Sequence, residues 1–129
     1  MSFKRLISYA WASPATAIGL MFVTAALCSG AKVRRVDGVL EIAGGRLLGA
    51  VGRIPRFGFV AITFGHVVMG VDDACLAQAR AHEHVHVRQY ERWGVLFFPL
   101  YAASSLVQLA CGRDPYRDNA FEREARAGA

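Results

Sequence analysis

The chain is poor in histidine, cysteine and lysine. Its 129 residues include four histidines and three cysteines, and only two of the 15 basic residues are lysine. The odd cysteine count and the absence of a C-x-x-C pair argue against a disulfide framework or a cysteine-rich zinc site, and they predict three small buried side chains. No basic run exceeds two residues and no nucleic-acid motif appears, so nucleic acid is not an expected partner.

Apolar residues are abundant for so short a chain. They make up 54% of the sequence, and the mean hydropathy is +0.30. This composition indicates contact with a membrane. The net charge of +5 suits a surface that lies near anionic lipid.

The first uncharged stretch, residues 6–31, follows Lys4 and Arg5. It is long enough for a membrane helix, and Pro14 is expected to mark the start of that helix. A cleaved signal peptide is the alternative, but no small-x-small cleavage site appears around "ALCSGA". We therefore predict an anchor or signal-like segment at 1–31 and a folded domain at 32–129. Removal of residues 1–30 would instead give a secreted or periplasmic protein, whereas the basic residues after the anchor favour a cytoplasmic domain.

Two β-prone regions follow this segment. In "KVRRVDGVLEIAGG", two short runs flank Asp37-Gly38, a strong hairpin signal. "FVAITFGHVVMG" carries alternating and β-branched residues and is interrupted at Gly65-His66. The stretch between them, "RLLGAVGRIPRFG", is predicted to be a connection with room for one helical turn. Together these runs predict a small antiparallel sheet.

Three of the four histidines lie in "AHEHVHVRQYERWG". A strand would place all three on one face, whereas a helix would align only His82 and His86. The flanks decide for the helix, because Asp72 or Asp73 can cap it and no glycine or proline follows until Gly94. The helix would carry a solvated polar stripe made of Arg80, His84, Arg88 and Glu91, with Gln89 on the same face as His82 and His86.

The second uncharged stretch, residues 93–112, is also long enough to cross a bilayer. Two interpretations stay open for its hydrophobic helix at about 94–111: a second membrane helix, or a helix packed on the domain that dips into the interface. Pro99 would bend this helix or lie in its first turn, and Arg92 and Arg113 suit snorkelling ends. The turn-rich loop "RDPYRDN" and a short terminal helix, "AFEREARA", complete the chain.

The helical pattern spells H-E-x-x-H at His82, Glu83 and His86. Two imidazoles one helical turn apart can bind one zinc ion, and the adjacent glutamate can act as general base. A catalytic zinc site needs a third protein ligand, and the remaining candidates are His66, Glu91, Glu122 and Glu124. Glu91 points away from the ligand face. Glu122 is the favoured ligand, and its alternative role is a capping box with Asn119.

These motifs resemble the gluzincin side of the zincin metallopeptidases, which includes membrane-embedded heat-shock and CAAX-processing proteases. The resemblance to those proteases is limited to H-E-x-x-H and the downstream E-x-x-A. Most of the chain, including "RAHEHVHVRQYERWG" and "YRDNAFEREA", is similar to a family of small bacterial membrane proteins. An aspartate often follows the alanine of E-x-x-A in the larger proteases, whereas here Arg126 follows Ala125.

The resemblance implies that His82, His86 and Glu122 bind zinc and that Glu83 is the general base. It implies an α+β, minimal zincin-like domain in the bacterial inner membrane, acting on a peptide or protein substrate, with "AITFGHVVMG" as the edge strand above the metal. Tyr116 and Arg113, in the loop before Glu122, are candidates for stabilising the oxyanion, and His66 is expected either to face the cleft or to pack in a turn. The alternative function is a non-catalytic membrane protein with a structural or vestigial zinc site.

Overall fold

The computed structural model describes residues 2–54 and 61–129. Within these ranges the fold is α+β, with the elements in the following order: α1 (Phe3–Cys28), β1 (Lys32–Val36), β2 (Val39–Ala43), α2 (Gly45–Gly52), β3 (Ala61–Phe64), β4 (Val67–Gly70), α3 (Asp73–Trp93), a 3₁₀ turn (Gly94–Leu96), α4 (Phe97–Ala110) and α5 (Ala120–Gly128).

Helix α1 begins well before the predicted start at Pro14, so that prediction is wrong. The side chain of Ser2 caps the helix by accepting a hydrogen bond from the backbone N–H of Arg5. Proline removes one hydrogen bond to the carbonyl four residues earlier. Here the hydroxyl of Ser13 donates to that carbonyl, on Ala10, at 2.7 Å. The helix therefore continues through the proline.

The predicted hairpin at Asp37-Gly38 is present, and the second β-prone region also forms a hairpin. β1 pairs with β2 in antiparallel register with a two-residue turn, in which Asp37 and Gly38 have φ values of 51° and 79°. Positive φ at both turn positions matches the right-handed twist of the strands and favours the Asp-Gly pair. β3 pairs with β4 through the Gly65-His66 turn. Phe59 and Val60, predicted to start this region, lie outside the described residues.

The sheet is mixed, so the predicted antiparallel sheet is wrong. Its strand order is β1-β2-β4-β3, and β2 and β4 run parallel, with Leu40 opposite Val67 and Ala43 opposite Gly70. All four residues of β4 are buried, whereas β3 is only partly buried. Burial therefore places the second strand of the second hairpin in the centre of the sheet and leaves β3 at its edge.

Helices α1 and α3 cover opposite faces of this sheet. Ile42 and Val67 pack with Val23 and Ala26 of α1. Their strand neighbours point to the other face, where Val68 packs with Leu76 and other α3 residues. The domain therefore has three layers at the sheet, and beyond the sheet Ala12 and Ala15 of α1 pack directly with Tyr90 of α3 and Phe97 of α4.

Two smaller predictions need correction. The connection after β2 contains α2, a helix of eight residues whose Leu48 joins the α1-side core, rather than a single turn. The cysteines are not all buried, since Cys28 and Cys111 are exposed and Cys75 is partly exposed. Cys28 is the last residue of α1, and Cys111 directly follows the last residue of α4.

Two helical stretches are long and apolar enough to cross a membrane: Phe3–Cys28 and Asp73–Ala110. The second is interrupted at Gly94, whose φ of 56° ends α3, so that α4 itself has 14 residues. Pro99 lies in the first turn of α4, one of the two predicted positions. Leu106, Val107 and Leu109 are exposed on α4.

Candidate metal centre

Helix α3 supplies both predicted histidines. The side chain of Asp72 caps its N-terminus by accepting from the N–H of Cys75 at 2.7 Å. The helix continues for 21 residues and ends before Gly94, which packs directly against the indole of Trp11. The uninterrupted helix between these points confirms the helical interpretation of the histidine-rich segment.

His82, His86 and Glu122 form a group that could hold a metal ion. The Nε2 atoms of the two histidines are 3.2 Å apart. Oε2 of Glu122 lies 3.0 Å from Nε2 of His82 and 3.3 Å from Nε2 of His86. Three acceptor atoms this close repel one another unless a proton or a cation lies between them.

The tautomer of His86 follows from the neighbouring Gln89. The side-chain amide nitrogen of Gln89 donates to the carbonyl of Phe121 at 3.0 Å and to Oε1 of Glu124 at 3.1 Å. The amide oxygen of Gln89 therefore faces Nδ1 of His86, at 2.7 Å. Nδ1 must carry the proton, so that Nε2 of neutral His86 presents its lone pair to His82 and Glu122.

Glu122 reaches the histidines because α5 is fixed to α4. Asn119 caps α5 and is fully buried, and its amide nitrogen donates to the carbonyl of Tyr101 and the hydroxyl of Ser105. Glu122 lies three residues after the cap but does not bond back to Asn119, whose N–H donates to Tyr116. One oxygen of Glu122 faces the histidines and the other accepts from the hydroxyl of Tyr101 at 2.8 Å. The capping-box alternative is therefore not adopted.

Glu83 connects the histidine helix to the edge strand β3. It is buried, and its Oε2 accepts a hydrogen bond from the hydroxyl of Thr63 at 2.7 Å. The hydroxyl of Tyr90 donates to the carbonyl of Thr63 and holds the same strand against α3. The edge strand β3 therefore lies beside the H-E-x-x-H helix.

The pKa values of Glu122 and Tyr116 are shifted by burial and by neighbouring side chains. Burial raises the pKa of Glu122, but hydrogen bonding and the charge of His86, together with the hydroxyl of Tyr101, outweigh it and lower the pKa overall. Burial raises the pKa of Tyr116, as do the negative charges of Glu122 and Glu83. Tyr116 is 57% exposed, yet it lies close enough to both carboxylates for their charges to act on its hydroxyl.

The other candidate residues lie away from the metal group. His66 is buried in the β3–β4 turn, 2.8 Å from Glu91 and stacked on Tyr9 of α1. Glu124 binds Gln89 rather than the histidines. Arg113 is exposed at the end of α4, and within the described ranges its side chain makes no hydrogen bond or ion pair. Of the predicted oxyanion and cleft residues, Tyr116 alone is near Glu122.

The polar stripe of α3 is solvated only in part: Arg88 is exposed, whereas Arg80 and His84 bond a buried carboxylate. Nε2 of His84 lies 2.9 Å from Glu41 of β2, and the guanidinium of Arg80 donates to both oxygens of that carboxylate. Glu41 is 1% exposed. The period of α3 placed these side chains on one face correctly, but it gave no indication that a carboxylate inside the sheet would face them.

Sequence reasoning missed Tyr101 and Thr63 as neighbours of the site. Tyr101 lies within an uncharged run that was interpreted only as apolar, although a buried phenol normally finds a hydrogen-bond partner. Thr63 is the polar residue that points inward from an otherwise apolar strand. Each was visible as an isolated polar group in an apolar segment, a signal that predicts a bond without identifying its partner.

Comparison of the chain with protein-family models, with curated proteins and with solved structures finds no match. The function must therefore be argued from the geometry of these side chains.

Proposed function

We propose that the chain is a membrane-associated, zinc-dependent metallopeptidase. The observation that carries the proposal is the triangle formed by the Nε2 atoms of His82 and His86 and Oε2 of Glu122, with sides of 3.0, 3.2 and 3.3 Å. Bonds of about 2.0–2.1 Å at tetrahedral angles separate zinc ligands by about 3.3 Å. Two imidazoles and one carboxylate also form a common catalytic zinc set.

The surroundings of the three ligands support this assignment. Gln89 fixes the proton on Nδ1 of His86, and Tyr101 orients Glu122, which are the two functions that neighbouring groups serve at metal sites. The side chain of His82 is 20% exposed, whereas those of His86 and Glu122 are 8% and 5% exposed. Water and substrate would therefore approach from the side of His82.

Each reacting group has an assigned role. A bound zinc ion would supply a Lewis acid that polarises water and the substrate carbonyl. Glu83 accepts a proton from the attacking water and passes it to the leaving amine as the C–N bond breaks. Tyr116 donates a hydrogen bond to the oxygen that gains negative charge. The substrate class is a peptide or protein, and the apolar faces of α1 and α4 contact membrane lipid.

A specific observation favours a second candidate, a structural zinc site without catalysis. The carboxylate of Glu83 is buried and one of its oxygens accepts from Thr63 at 2.7 Å, a bond that suits a structural role and leaves only the other oxygen for a water molecule. A cavity of about 360 Å³ lies between β1 and the start of α3, where Glu41 and Leu76 line it, and a second of about 330 Å³ is lined by Asp114, Arg117, Asp118 and Arg126. The proposed metal ligands line neither cavity.

Metal analysis of the protein purified in mild detergent tests the site. We expect one zinc per chain, lost in His82→Ala, His86→Ala and Glu122→Gln but retained in the matched controls His84→Ala and Glu124→Gln. Cleavage of a quenched fluorescent protein substrate then separates the two candidates. Glu83→Gln should keep zinc and lose turnover. Zinc retention by Glu122→Gln contradicts the proposed ligand set, and a wild-type protein that binds zinc without turnover favours the structural site.

A further inference from the structure

The outer surface of α1 is apolar and is not covered by any other part of the described chain. A single stripe of mostly small residues packs on the domain, namely Ala12, Ala15, Gly19, Val23 and Ala26. The rest of the helix is exposed and carries large apolar side chains, including Met21 at 75% exposed. Residues 6–31 contain no charge, whereas the solvent face of a helix in a water-soluble protein is normally polar. An apolar medium must therefore cover this outer surface.

The sheet follows α1 along most of its length. Near the N-terminus, the hydroxyl of Tyr9 donates to the carbonyl of Gly38 in the β1–β2 turn at 2.7 Å. Near the C-terminus, Ala26 packs in one cluster with Ile42 and Met69. These contacts are 17 residues apart on α1, about 26 Å at 1.5 Å per residue. A bilayer core about 30 Å thick that was crossed by α1 would therefore also contain the sheet.

The sheet is not suited to that environment. Strand β1 forms its edge, and Lys32, Arg34 and Arg35 are exposed there. Charged side chains at bilayer depth are costly, and an open sheet edge leaves backbone groups without hydrogen bonds in hydrocarbon. These two penalties disfavour an orientation in which α1 crosses the membrane while it stays packed on its own domain.

Charge on the α1 side of the molecule complements an anionic surface. The first 54 residues contain seven basic and two acidic side chains. Two of the basic residues, Lys32 and Arg34, lie opposite Ala43 and Glu41 and so belong to the α3 face, which leaves five on or beside α1 and its face of the sheet. One of the two acids, Glu41, is buried on the α3 face. Arg35 lies opposite Leu40, which packs in the α1-side core, and exposed Arg46 belongs to α2, which contacts α1.

We propose that α1 lies in the plane of a membrane interface, with its uncharged outer face in the acyl boundary and the surrounding basic residues on anionic lipid headgroups. The chain then sits on one side of the bilayer as a monotopic protein. In-plane binding keeps the α1–sheet packing and covers the apolar surface together, which a bilayer-crossing α1 does not. The metal group lies on the α3 side of the sheet, so this proposal does not depend on the zinc chemistry.

Cysteine labelling from each side of the membrane tests this orientation. The native cysteines are replaced by serine, and single cysteines are introduced by Lys4→Cys, Lys32→Cys and, as the domain marker, Arg123→Cys; all three positions are exposed. Sealed vesicles of both orientations, prepared from cells that make the full chain, are treated with a membrane-impermeant maleimide. We expect all three positions to react in the same vesicle orientation. Reaction of Lys4→Cys and Lys32→Cys from opposite sides would overturn the proposal.

Vesicle binding by the purified chain tests the lipid partner. We expect co-sedimentation with vesicles of phosphatidylglycerol and phosphatidylcholine, and weaker binding to phosphatidylcholine alone or at high salt. Removal of one basic charge by Arg46→Gln should weaken binding about fivefold, whereas Arg123→Gln on α5 should not. A chain that stays soluble without detergent as a dimer, and does not sediment with either vesicle, would show that a second copy covers α1 and would overturn the proposal.

Discussion

Nδ1 of His86 lies 2.7 Å from the side-chain oxygen of Gln89, a residue that is 1% exposed. The contact spans one helical turn, but residues outside the helix determine that Nδ1 donates and the Gln89 oxygen accepts. Both protons of the Gln89 amide are directed to α5, at Phe121 and Glu124. The position of α5 therefore determines which nitrogen of His86 is free to bind a metal, and the same helix supplies Glu122.

Gln89→Leu should weaken zinc binding by about 10- to 100-fold, the usual effect of losing a group that orients a metal ligand. Leucine fills a similar volume but cannot accept a hydrogen bond from Nδ1, so His86 can take either tautomer. The measurement is competition with a chelator of known affinity. Gln78→Leu, at an exposed position of the same helix, is the matched control. Equal affinity in both variants would show that Gln89 has no orienting role.

Tyr101→Phe and Tyr116→Phe should separate metal binding from turnover. Tyr101 donates to Glu122 at 2.8 Å, so its loss should weaken zinc binding by about tenfold. Tyr116 lies near Glu122 and Glu83 but is 57% exposed, so its loss should leave zinc affinity nearly unchanged and lower kcat by about 100-fold if it stabilises the oxyanion. Chelator competition and steady-state cleavage are measured on both variants. The reverse pattern would exchange the two assignments.

The sequence predicted the elements whose signals are local. The period of α3, the Asp37-Gly38 turn and the cap at Asn119 each depend on residues a few positions apart, and all three are present. Glu122 was also predicted, because it occupies the ligand position of the E-x-x-A pattern that ends at Ala125. Its position within reach of His82 and His86 agrees with the ligand set inferred from the motifs.

What the sequence did not predict depends on contacts between distant segments. The parallel pairing of β2 with β4 arises from the burial of a whole second hairpin, which the alternation within each strand does not encode. The partners of Glu41 are also distant in sequence. The alternation within its strand predicts an inward side chain, but it does not predict that Arg80 and His84 of α3 would neutralise the carboxylate. Pro14 misled for a local reason, because one hydroxyl, from Ser13, replaced the missing bond.

Glu41→Gln should change how stability depends on pH. Burial raises the pKa of Glu41, but the hydrogen bonds and charges of Arg80 and His84 outweigh it and lower the pKa below its ordinary value of 4.5. A carboxylate with a depressed pKa in the folded state contributes stability that is complete above pH 4.5 and is lost as pH falls through the folded-state pKa. The variant should therefore lose about 1–3 kcal/mol near neutral pH and show a shallower acid dependence.

Denaturant unfolding in mild detergent, repeated over a range of about pH 3 to 7, measures this effect. Asp73→Asn, at an exposed acid in the first turn of α3, is the control and should keep the wild-type slope between acid and neutral pH. A variant Glu41→Gln that parallels the wild type over the whole range would show that the Arg80–Glu41 pair contributes nothing to the acid dependence.

Gly19→Val should destabilise the whole domain if α1 is one of its layers. A Cβ at Gly19 would lie 2.8 Å from Cβ of Val67 and 3.1 Å from Cβ of Phe64, closer than carbon atoms pack. The helix would have to move away from the central strand, at a cost of about 1–3 kcal/mol. Ala17→Val adds the same kind of side chain on the exposed face of α1 and should cost little. Unfolding monitored by near-UV circular dichroism in mild detergent compares the two variants. Equal stability would mean that α1 is detached from the sheet, as an independent anchor would be, and that the three-layer arrangement does not contribute to folding.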